Sequence, residues 1–240
     1  MEPHEYALMD AVEGRMWWYR ALHARLGDAL AGVQGRVLDA GCGTGGLLAV
    51  LRTVLPAAQL VGLEWSDAAA RRAAEKSGAA IARGSVNAMP FPAAAFDAAV
   101  TADVLCHAAV DPDAALAELH RVLRPGGRLV VNMPAYGWML SAHDRKVHNV
   151  RRWTVPFTRA VLRRAGFGEV RARYWNGLLL PLMVLERKLL ARGAGAASDV
   201  AAFSPWLDAT LHAITAIERH LPVPLPAGGS VLATAIRPKT

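Results

Sequence analysis

The sequence has little cysteine: Cys42 and Cys106 are the only two in 240 residues. Two thiols cannot build a disulfide framework or a cluster of metal ligands, so we expect a reduced, cytoplasmic protein with no bound metal. The segment Met1–Glu5 carries acids and no apolar run, which argues against a secretory signal. The apolar run Leu178–Leu185 is too short to span a bilayer, which needs about 20 residues, and Pro181 interrupts it.

A clustered basic segment is also missing, although the net charge is +7, with 27 Lys and Arg against 20 Asp and Glu. The arginines are scattered, and no basic run is interleaved with aromatic residues that would stack on bases. We therefore expect no nucleic-acid partner. An anionic small molecule, or peripheral contact with a membrane surface, accounts for the charge equally well.

The sequence does contain an alternation of strand and helix patterns from residue 36 onward, which is typical of a parallel sheet with crossover helices. The predicted strands are Arg36–Asp39, Gln59–Glu64, Ala80–Arg83, Phe96–Thr101, Arg128–Asn132, Glu169–Trp175 and Val231–Ile236. The predicted helices are about Gly45–Leu55, Asp67–Lys76, Asp113–Leu123 and a helix from Thr154 to Ala165. Asp111 and Thr154 are the expected N-caps.

The whole chain, residues 1–240, is expected to form one domain with two elaborations. Residues 1–34 form an N-terminal helical region, residues 35–175 the core, residues 176–229 a helical insertion, and residues 230–240 carry the last strand. The apolar part of the insertion is compatible with a lid, a subunit contact or a membrane-surface helix. Both a monomer and a homodimer fit this organisation.

A glycine-rich turn follows the first predicted strand, and Gly41, Gly43 and Gly46 satisfy the dinucleotide pattern G-x-G-x-x-G. The N-terminus of the next helix would point its unpaired N–H groups at a ligand there. Asp39 stands just before the glycines, and its carboxylate would repel a pyrophosphate by about 3 kcal/mol at roughly 5 Å. S-adenosylmethionine has no phosphate and carries an ammonium and a sulfonium that Asp39 attracts. The turn therefore predicts a methyl-donor site.

Glu64 ends the second predicted strand, about 20 residues after the glycine turn. An acid at this place accepts hydrogen bonds from both ribose hydroxyls, in nicotinamide sites as well as in S-adenosylmethionine sites. A solvated strand end is the alternative interpretation. Glu64 alone therefore does not select the cofactor, but together with Asp39 it supports S-adenosylmethionine.

At the level of whole motifs, the chain resembles class I S-adenosylmethionine-dependent methyltransferases, in the group that includes the ubiquinone and menaquinone C-methyltransferases. The matching segments are Val37–Gly45, Glu64, Gly84–Phe91, Phe96-Asp97 and Arg121–Gly127. The resemblance implies a Rossmann-like α/β fold, a doubly wound, mostly parallel seven-stranded sheet whose last two strands form an antiparallel pair. It implies cofactor contacts at Gly41, Gly43, Gly45, Glu64, Trp65, Ser85 and Val86. Ser85 stands where the family commonly has an aspartate, and Val86 is the alternative contact to the adenine.

A looser resemblance covers Trp17–Arg20 and, after the fifth strand, His143, Asp144, His148, Arg151 and Arg152. In the family the N-terminal helix typically closes over the cofactor, so residues 1–34 are expected to form a lid. Neighbouring residues of a helix point about 100° apart, so one of the two tryptophans is expected to cover the cofactor, and Trp17 is the candidate. Packing of both tryptophans is the alternative. Arg20 is a candidate partner for the cofactor carboxylate.

Methyl transfer to an alcohol, phenol or amine requires an aligned nucleophile and removal of its proton. His148 is the first candidate for the base, with Asp144 orienting it or binding substrate, and His107 is the second. The candidate substrate contacts are His143, Arg151, Arg152 and Tyr136. For each of them a purely structural role is the alternative.

The sequence thus predicts S-adenosylmethionine-dependent methyl transfer to an oxygen or nitrogen of a small molecule, such as a natural-product or lipid-linked intermediate of anionic or apolar character. The alternatives are a non-catalytic module with the cofactor fold, a nicotinamide oxidoreductase, and a protein or nucleic-acid methyltransferase. No Tyr-x-x-x-Lys pair supports hydride chemistry. Thr101–Val104 stands where amino-group methyltransferases of DNA have Asp/Asn-Pro-Pro-aromatic.

Overall fold

A seven-stranded sheet with the strand order β3-β2-β1-β4-β5-β7-β6 forms the centre of the protein. The computed structural model describes residues 3–186 and 203–239, without the side chains of Pro3, His4, Ala142 and His143. The strands are β1 (Gly35–Ala40), β2 (Ala58–Glu64), β3 (Ala80–Arg83), β4 (Phe96–Ala102), β5 (Leu123–Pro134), β6 (Gly168–Trp175) and β7 (Ser230–Ile236). Strands β1 to β5 pair in parallel, and β7 runs antiparallel to both β5 and β6. The predicted fold class is confirmed, including the antiparallel pair at the end of the chain.

Helices cover both faces of this sheet. The described helices are α1 (Pro3–Val12), α2 (Trp17–Leu30), α3 (Gly46–Val54), α4 (Asp67–Ser77), α5 (Pro112–Val122), α6 (Ala142–Lys146), α7 (Val155–Arg164), α8 (Leu180–Leu185) and α9 (Pro205–Arg219). A short 3-10 turn spans Gly137–Met139. The predicted caps are present: Asp111 accepts from the backbone N–H of Asp113, and Thr154 accepts from that of Phe157. Each cap satisfies a backbone donor that the first helical turn leaves open.

The strands are apolar because both of their faces are covered. In β1, Val37 packs into the core on the side of α2 and α3, while Leu38 packs into the core on the side of α5 and α7. Both side chains are completely buried, as is Phe96 at the start of β4. This alternation fixes the register of the sheet. The parallel pairing of β1 with β2 and β4 brings the carboxyl ends of the three strands to one edge.

A buried carboxylate in the second half of the predicted insertion holds three segments together. Glu218 of α9 accepts hydrogen bonds from the backbone N–H groups of Asn176, Gly177 and Leu178, at 2.5 to 3.0 Å. It also pairs with Arg25 of α2 at 3.5 Å. Helix α9 therefore ties α2 to the end of the sheet. The rest of the insertion, residues 187–202, lies outside the described residues.

No helix in the described parts of the chain combines the length and the apolar character that crossing a membrane requires.

Candidate functional site

A cavity of about 990 Å³ lies at the carboxyl edge of the sheet, where β1, β2 and β4 end. The glycine-rich turn forms its floor, and α1 and α2 of the N-terminal region cover it. Open α/β sheets bind their ligands at this edge.

The glycine turn brings bare backbone to the cavity. Gly41 and Gly45 both have φ +88°, a conformation that side-chain-bearing residues rarely adopt. A Cβ atom on Gly45 would lie 2.7 Å from the Cα atom of Ala73 in α4. The backbone N–H groups of Gly41 and Cys42 donate to the carbonyl oxygen of Leu63, which anchors the turn to β2. The turn is therefore rigidly placed and leaves room for a ligand above it.

Glu64 is buried at the end of β2 and accepts three hydrogen bonds, each of 2.9 Å. Its Oε2 accepts from the backbone N–H of Gly43, and its Oε1 accepts from the backbone N–H of Ser66 and from the hydroxyl of Tyr6. The carboxylate thus faces the cavity between the glycine turn and α1. This is the acid that the sequence predicts for the ribose.

Asp39 lies on the floor of the cavity with 2% of its surface exposed. Burial, together with the smaller effects of the negative charges of Glu64 and Glu13, raises the pKa of its carboxyl to about 8. A buried acid in this condition is stabilised in its ionised form when a cation binds beside it. The position and the burial of Asp39 therefore favour binding of a cationic group beside its carboxylate.

Helix α1 lines the cavity, and contacts that the sequence does not predict hold its end in place. Glu13 is buried, accepts a 2.6 Å hydrogen bond from the hydroxyl of Thr44 and pairs with Lys76. It lies against Gly46, at the start of α3, where a carboxylate complements the helix dipole. Met9 lies over Gly43. A sequence signal for these contacts is weak, because each joins residues more than 30 positions apart.

The structure separates the two tryptophans: Trp18 lies at the cavity, whereas Trp17, the residue predicted to cover the cofactor, lies away from it. Trp18 lines the cavity and stacks on Trp175, with ring centroids 6.3 Å apart. Trp17 packs instead against Leu179 and Leu211, away from the cavity. Its backbone N–H is held by Asp208, at the N-terminal end of α9, and this contact sets the rotation of α2.

Arg20 also points away from the cavity, because its guanidinium interacts with Asp208 at 3.6 Å and with His212 at 3.1 Å. Trp65, Ser85 and Val86 all line the cavity, with Trp65 72% exposed at its mouth. The hydroxyl of Ser85 accepts a 3.1 Å hydrogen bond from the backbone N–H of Asn87.

Asp103 follows β4 and lines the other end of the cavity. It has φ +55°, which is uncommon for a residue other than glycine. Its Oδ1 accepts a 2.9 Å hydrogen bond from the side-chain amide of Asn132, and the Asn132 oxygen accepts from Nε1 of Trp175 at 2.8 Å. Burial raises the pKa of Asp103 to about 6, against the opposing effects of Asn132 and Arg152. The motifs in the sequence assign no role to Asp103, although its place directly after the fourth strand is a signal for one.

His107 also lines this end of the cavity, and burial lowers its pKa to about 4, so its imidazole is neutral near pH 7. The His148 ring lies 5.9 Å from the His107 ring, but His148 is exposed and does not line the cavity. His148 has φ +58°, within the turn that follows α6.

The other predicted catalytic and substrate-binding residues interact with neighbouring groups of the protein. Asp144 and Arg152 form a buried ion pair at 2.8 Å, and neither residue lines the cavity. Arg151 donates to the backbone oxygens of His107 and Val110.

Tyr136 stacks on Trp138 and Tyr174 outside the cavity. The side chain of His143 lies outside the described part of the structure.

The residues at the cavity fit S-adenosylmethionine. The volume suits a ligand of this size, Glu64 supplies acceptors for ribose hydroxyls, and Asp39 supplies a negative charge for the ammonium. The turn at Gly41 and Gly43 leaves backbone that a Cβ atom would obstruct. When bound, this cofactor supplies a methyl group activated on a sulfonium sulfur.

The sequence matches the family described as methyltransferase domain over residues 38–131. A malonyl-[acyl-carrier protein] O-methyltransferase from Herminiimonas arsenicoxydans is 32% identical over 84% of this chain and 78% of that protein. A demethylmenaquinone methyltransferase from Thermus thermophilus is 44% identical over 40% of this chain and 46% of that protein. The chain spans about half the length of several curated relatives that it matches, 43% to 48%.

Among solved structures, phosphoethanolamine N-methyltransferase 2 of Haemonchus contortus in complex with S-adenosyl-L-methionine has a TM-score of 0.61 and 18% identity, covering 92% of this chain and 53% of that chain. At this identity the likeness is one of fold. Fold and site together define a Rossmann-like methyltransferase. More specifically, the chain belongs to the class I S-adenosylmethionine-dependent methyltransferases, as its motifs predict.

Proposed function

We propose that this protein transfers the methyl group of S-adenosylmethionine to an oxygen or nitrogen atom of a small molecule, in the cytoplasm. The proposal is supported by the division of the cavity into two ends. Asp39 and Glu64 lie at the carboxyl ends of β1 and β2, while Asp103 and His107 follow β4 on the far side. The first pair suits the cofactor, and the second pair suits an acceptor.

The cover formed by α1 and α2 favours a small acceptor over a macromolecule. Tyr6, Met9 and Trp18 close the cavity from above, and Glu13 fixes the end of α1 at the start of α3. A folded protein or a nucleic-acid duplex would need this cover to be displaced. A small molecule needs only to enter beside it.

The residues at the acceptor end support oxygen or nitrogen as the methylated atom. Both elements lose a proton when they become nucleophiles or after they are methylated, and a positioned acceptor for that proton assists the reaction. Asp103 and His107 are the titratable side chains that line the cavity there among the described residues that follow β4.

The test is incubation of the purified protein with S-adenosylmethionine labelled in its methyl group and a bacterial metabolite extract. We expect label in products that resist protease and nuclease. Label confined to protease- or nuclease-sensitive material would overturn the small-molecule acceptor. In parallel, S-adenosylhomocysteine should raise the melting temperature, and NAD should not; the reverse result would overturn the cofactor assignment.

A further inference from the structure

We propose that Asp103 binds the acceptor as a protonated amine and takes its proton, so that the methylated atom is nitrogen. This inference rests on the proposed function and narrows it to one class of substrate. It is carried by the orientation of the Asp103 carboxylate, by the charges that line the cavity, and by the occupation of the nearby arginines.

A chain of hydrogen bonds fixes Asp103. Nε1 of Trp175 is only a donor, so the Asn132 side-chain atom that it contacts at 2.8 Å must be the amide oxygen. The amide nitrogen of Asn132 then faces Oδ1 of Asp103 at 2.9 Å. Asn132 is completely buried, so this arrangement has no freedom to reverse. Asp103 is therefore held as a hydrogen-bond acceptor.

The second carboxylate oxygen, Oδ2, has no hydrogen-bond partner among the described residues, and Asp103 lines the cavity. The left-handed backbone at φ +55° turns this residue out of the line of β4. Backbone strain of this kind is concentrated at active sites and ligand-binding sites. Oδ2 is thus available to a ligand at the end of the cavity opposite Glu64.

The charges of the cavity favour a cationic acceptor. Arg83 is the single arginine or lysine among the described lining residues, and it pairs with Asp67 at 3.2 Å near the nucleoside end. Arg151 and Arg152, which the sequence proposed as anchors for an acidic substrate, are held by backbone carbonyls and by Asp144. An anionic acceptor would therefore meet the Asp103 carboxylate, and among the described lining residues only Arg83 carries a positive side chain that could compensate it.

An ammonium group at Asp103 gains a charge-assisted hydrogen bond, and the rings of Trp18 and Tyr19 line the same cavity. For transfer, the proton leaves nitrogen for Oδ2, and the electron pair of the N–H bond stays on nitrogen. The freed pair forms the N–C bond, and the pair of the broken C–S bond remains on sulfur. Asp103 later releases its proton to solvent when the product leaves.

The experiment uses the protein loaded with S-adenosylhomocysteine and three probes with one carbon skeleton: 2-phenylethylamine, 2-phenylethanol and phenylacetate. Calorimetry should show the amine binding about tenfold more tightly than the other two, as expected for one charge-assisted hydrogen bond. Asp103→Asn should abolish this preference. Asparagine tolerates a positive φ, so the variant is expected to keep the fold.

Asp113→Asn is the matched control, because it removes a carboxylate from the exposed pair with Arg164. This variant should keep the preference for the amine. Equal binding of the three probes, absence of any binding, or an unchanged preference in Asp103→Asn would overturn the inference. A tenfold loss of S-adenosylhomocysteine affinity in Asp103→Asn, with the amine preference retained, would also overturn it and assign Asp103 to the cofactor.

The outcome separates this inference from the proposed function. Methylation of an alcohol or phenol in the metabolite extract, without a preference for amines, would overturn the inference alone. Failure to label any small molecule would overturn the proposed function.

Discussion

The hydroxyl of Tyr6 donates a 2.9 Å hydrogen bond to Oε1 of Glu64, and so joins α1 to the acid at the end of β2. Glu64 also accepts from the backbone N–H groups of Gly43 and Ser66. A carboxylate has about four acceptor sites, and two ribose hydroxyls need two of them. One existing partner must therefore give way to a bound ribose, and the Tyr6 hydroxyl is the only side-chain donor among the three. The Tyr6 hydroxyl would therefore compete with the cofactor for the same acid.

Tyr6→Phe should strengthen binding of S-adenosylhomocysteine. The variant removes the competing donor, and a hydrogen bond of this kind contributes about 0.5–1.5 kcal/mol, which corresponds to roughly two- to tenfold in affinity. Calorimetric titration measures the effect. Tyr174→Phe is the control, because the Tyr174 hydroxyl contacts the backbone N–H of Val155 outside the cavity. Weaker binding in Tyr6→Phe would show that Tyr6 supports the bound cofactor.

Asp39 should release a proton when the cofactor binds at pH 7. Burial, with the charges of Glu64 and Glu13, raises its pKa to about 8, so the carboxyl is largely protonated without a ligand, and a bound ammonium favours the ionised form. Titrations in phosphate and in Tris, whose ionisation enthalpies differ, measure the released proton. Asp39→Asn should bind more weakly and release none. An equal proton release in the variant would contradict the assignment.

The same shift makes a prediction for stability without ligand. Between the ordinary pKa of 3.8 and about 8, the folded protein holds a proton on Asp39 that the unfolded chain has lost. The free energy of unfolding should therefore fall as pH rises through this range, because the folded state binds more protons. Asp39→Asn should show a smaller fall. Urea unfolding at pH 5 and pH 8 makes the comparison.

The sequence predicts the parts of this protein whose signals are local. The strands and the caps at Asp111 and Thr154 follow from apolar runs and turn residues, and Asp39 and Glu64 follow from their places at strand ends. The role of Trp17 could not be predicted in this way. It depends on Asp208 and Leu211, about 190 positions further along the chain, which rotate α2 so that Trp18 faces the cavity.

The charged residues after β5 are a second case in which the sequence could not predict the role of each side chain. A histidine next to an aspartate and two arginines resembles a catalytic group, and nothing local shows that Asp144 and Arg152 pair with each other. The pair forms because both side chains are buried, at 2% and 4% exposure, and each would be costly to bury alone. Contacts of α1, such as that of Tyr6 with Glu64, are equally hard to predict from the sequence, since they join distant segments.

Arg152→Met should destabilise the protein by about 3–5 kcal/mol, because it leaves the buried carboxylate of Asp144 without its cation. Arg164→Met is the control, since it breaks an exposed pair with Asp113, whose expected contribution is at most about 1 kcal/mol. Chemical unfolding followed by circular dichroism measures both. Equal losses in the two variants would show that the buried pair is not a special contributor to stability.

His148→Gln and His107→Gln should differ in their effect on turnover. His148 is exposed and outside the cavity, so we expect its variant to keep kcat/KM within about twofold, a change well under 1 kcal/mol. His107 lines the acceptor end as a neutral imidazole, and loss of one hydrogen bond to substrate there would lower kcat/KM by about tenfold. Release of S-adenosylhomocysteine measures turnover, with cofactor affinity as the control for each variant. A large loss in His148→Gln with intact cofactor binding would restore His148 as the base and would require the turn after α6 to move toward the cavity.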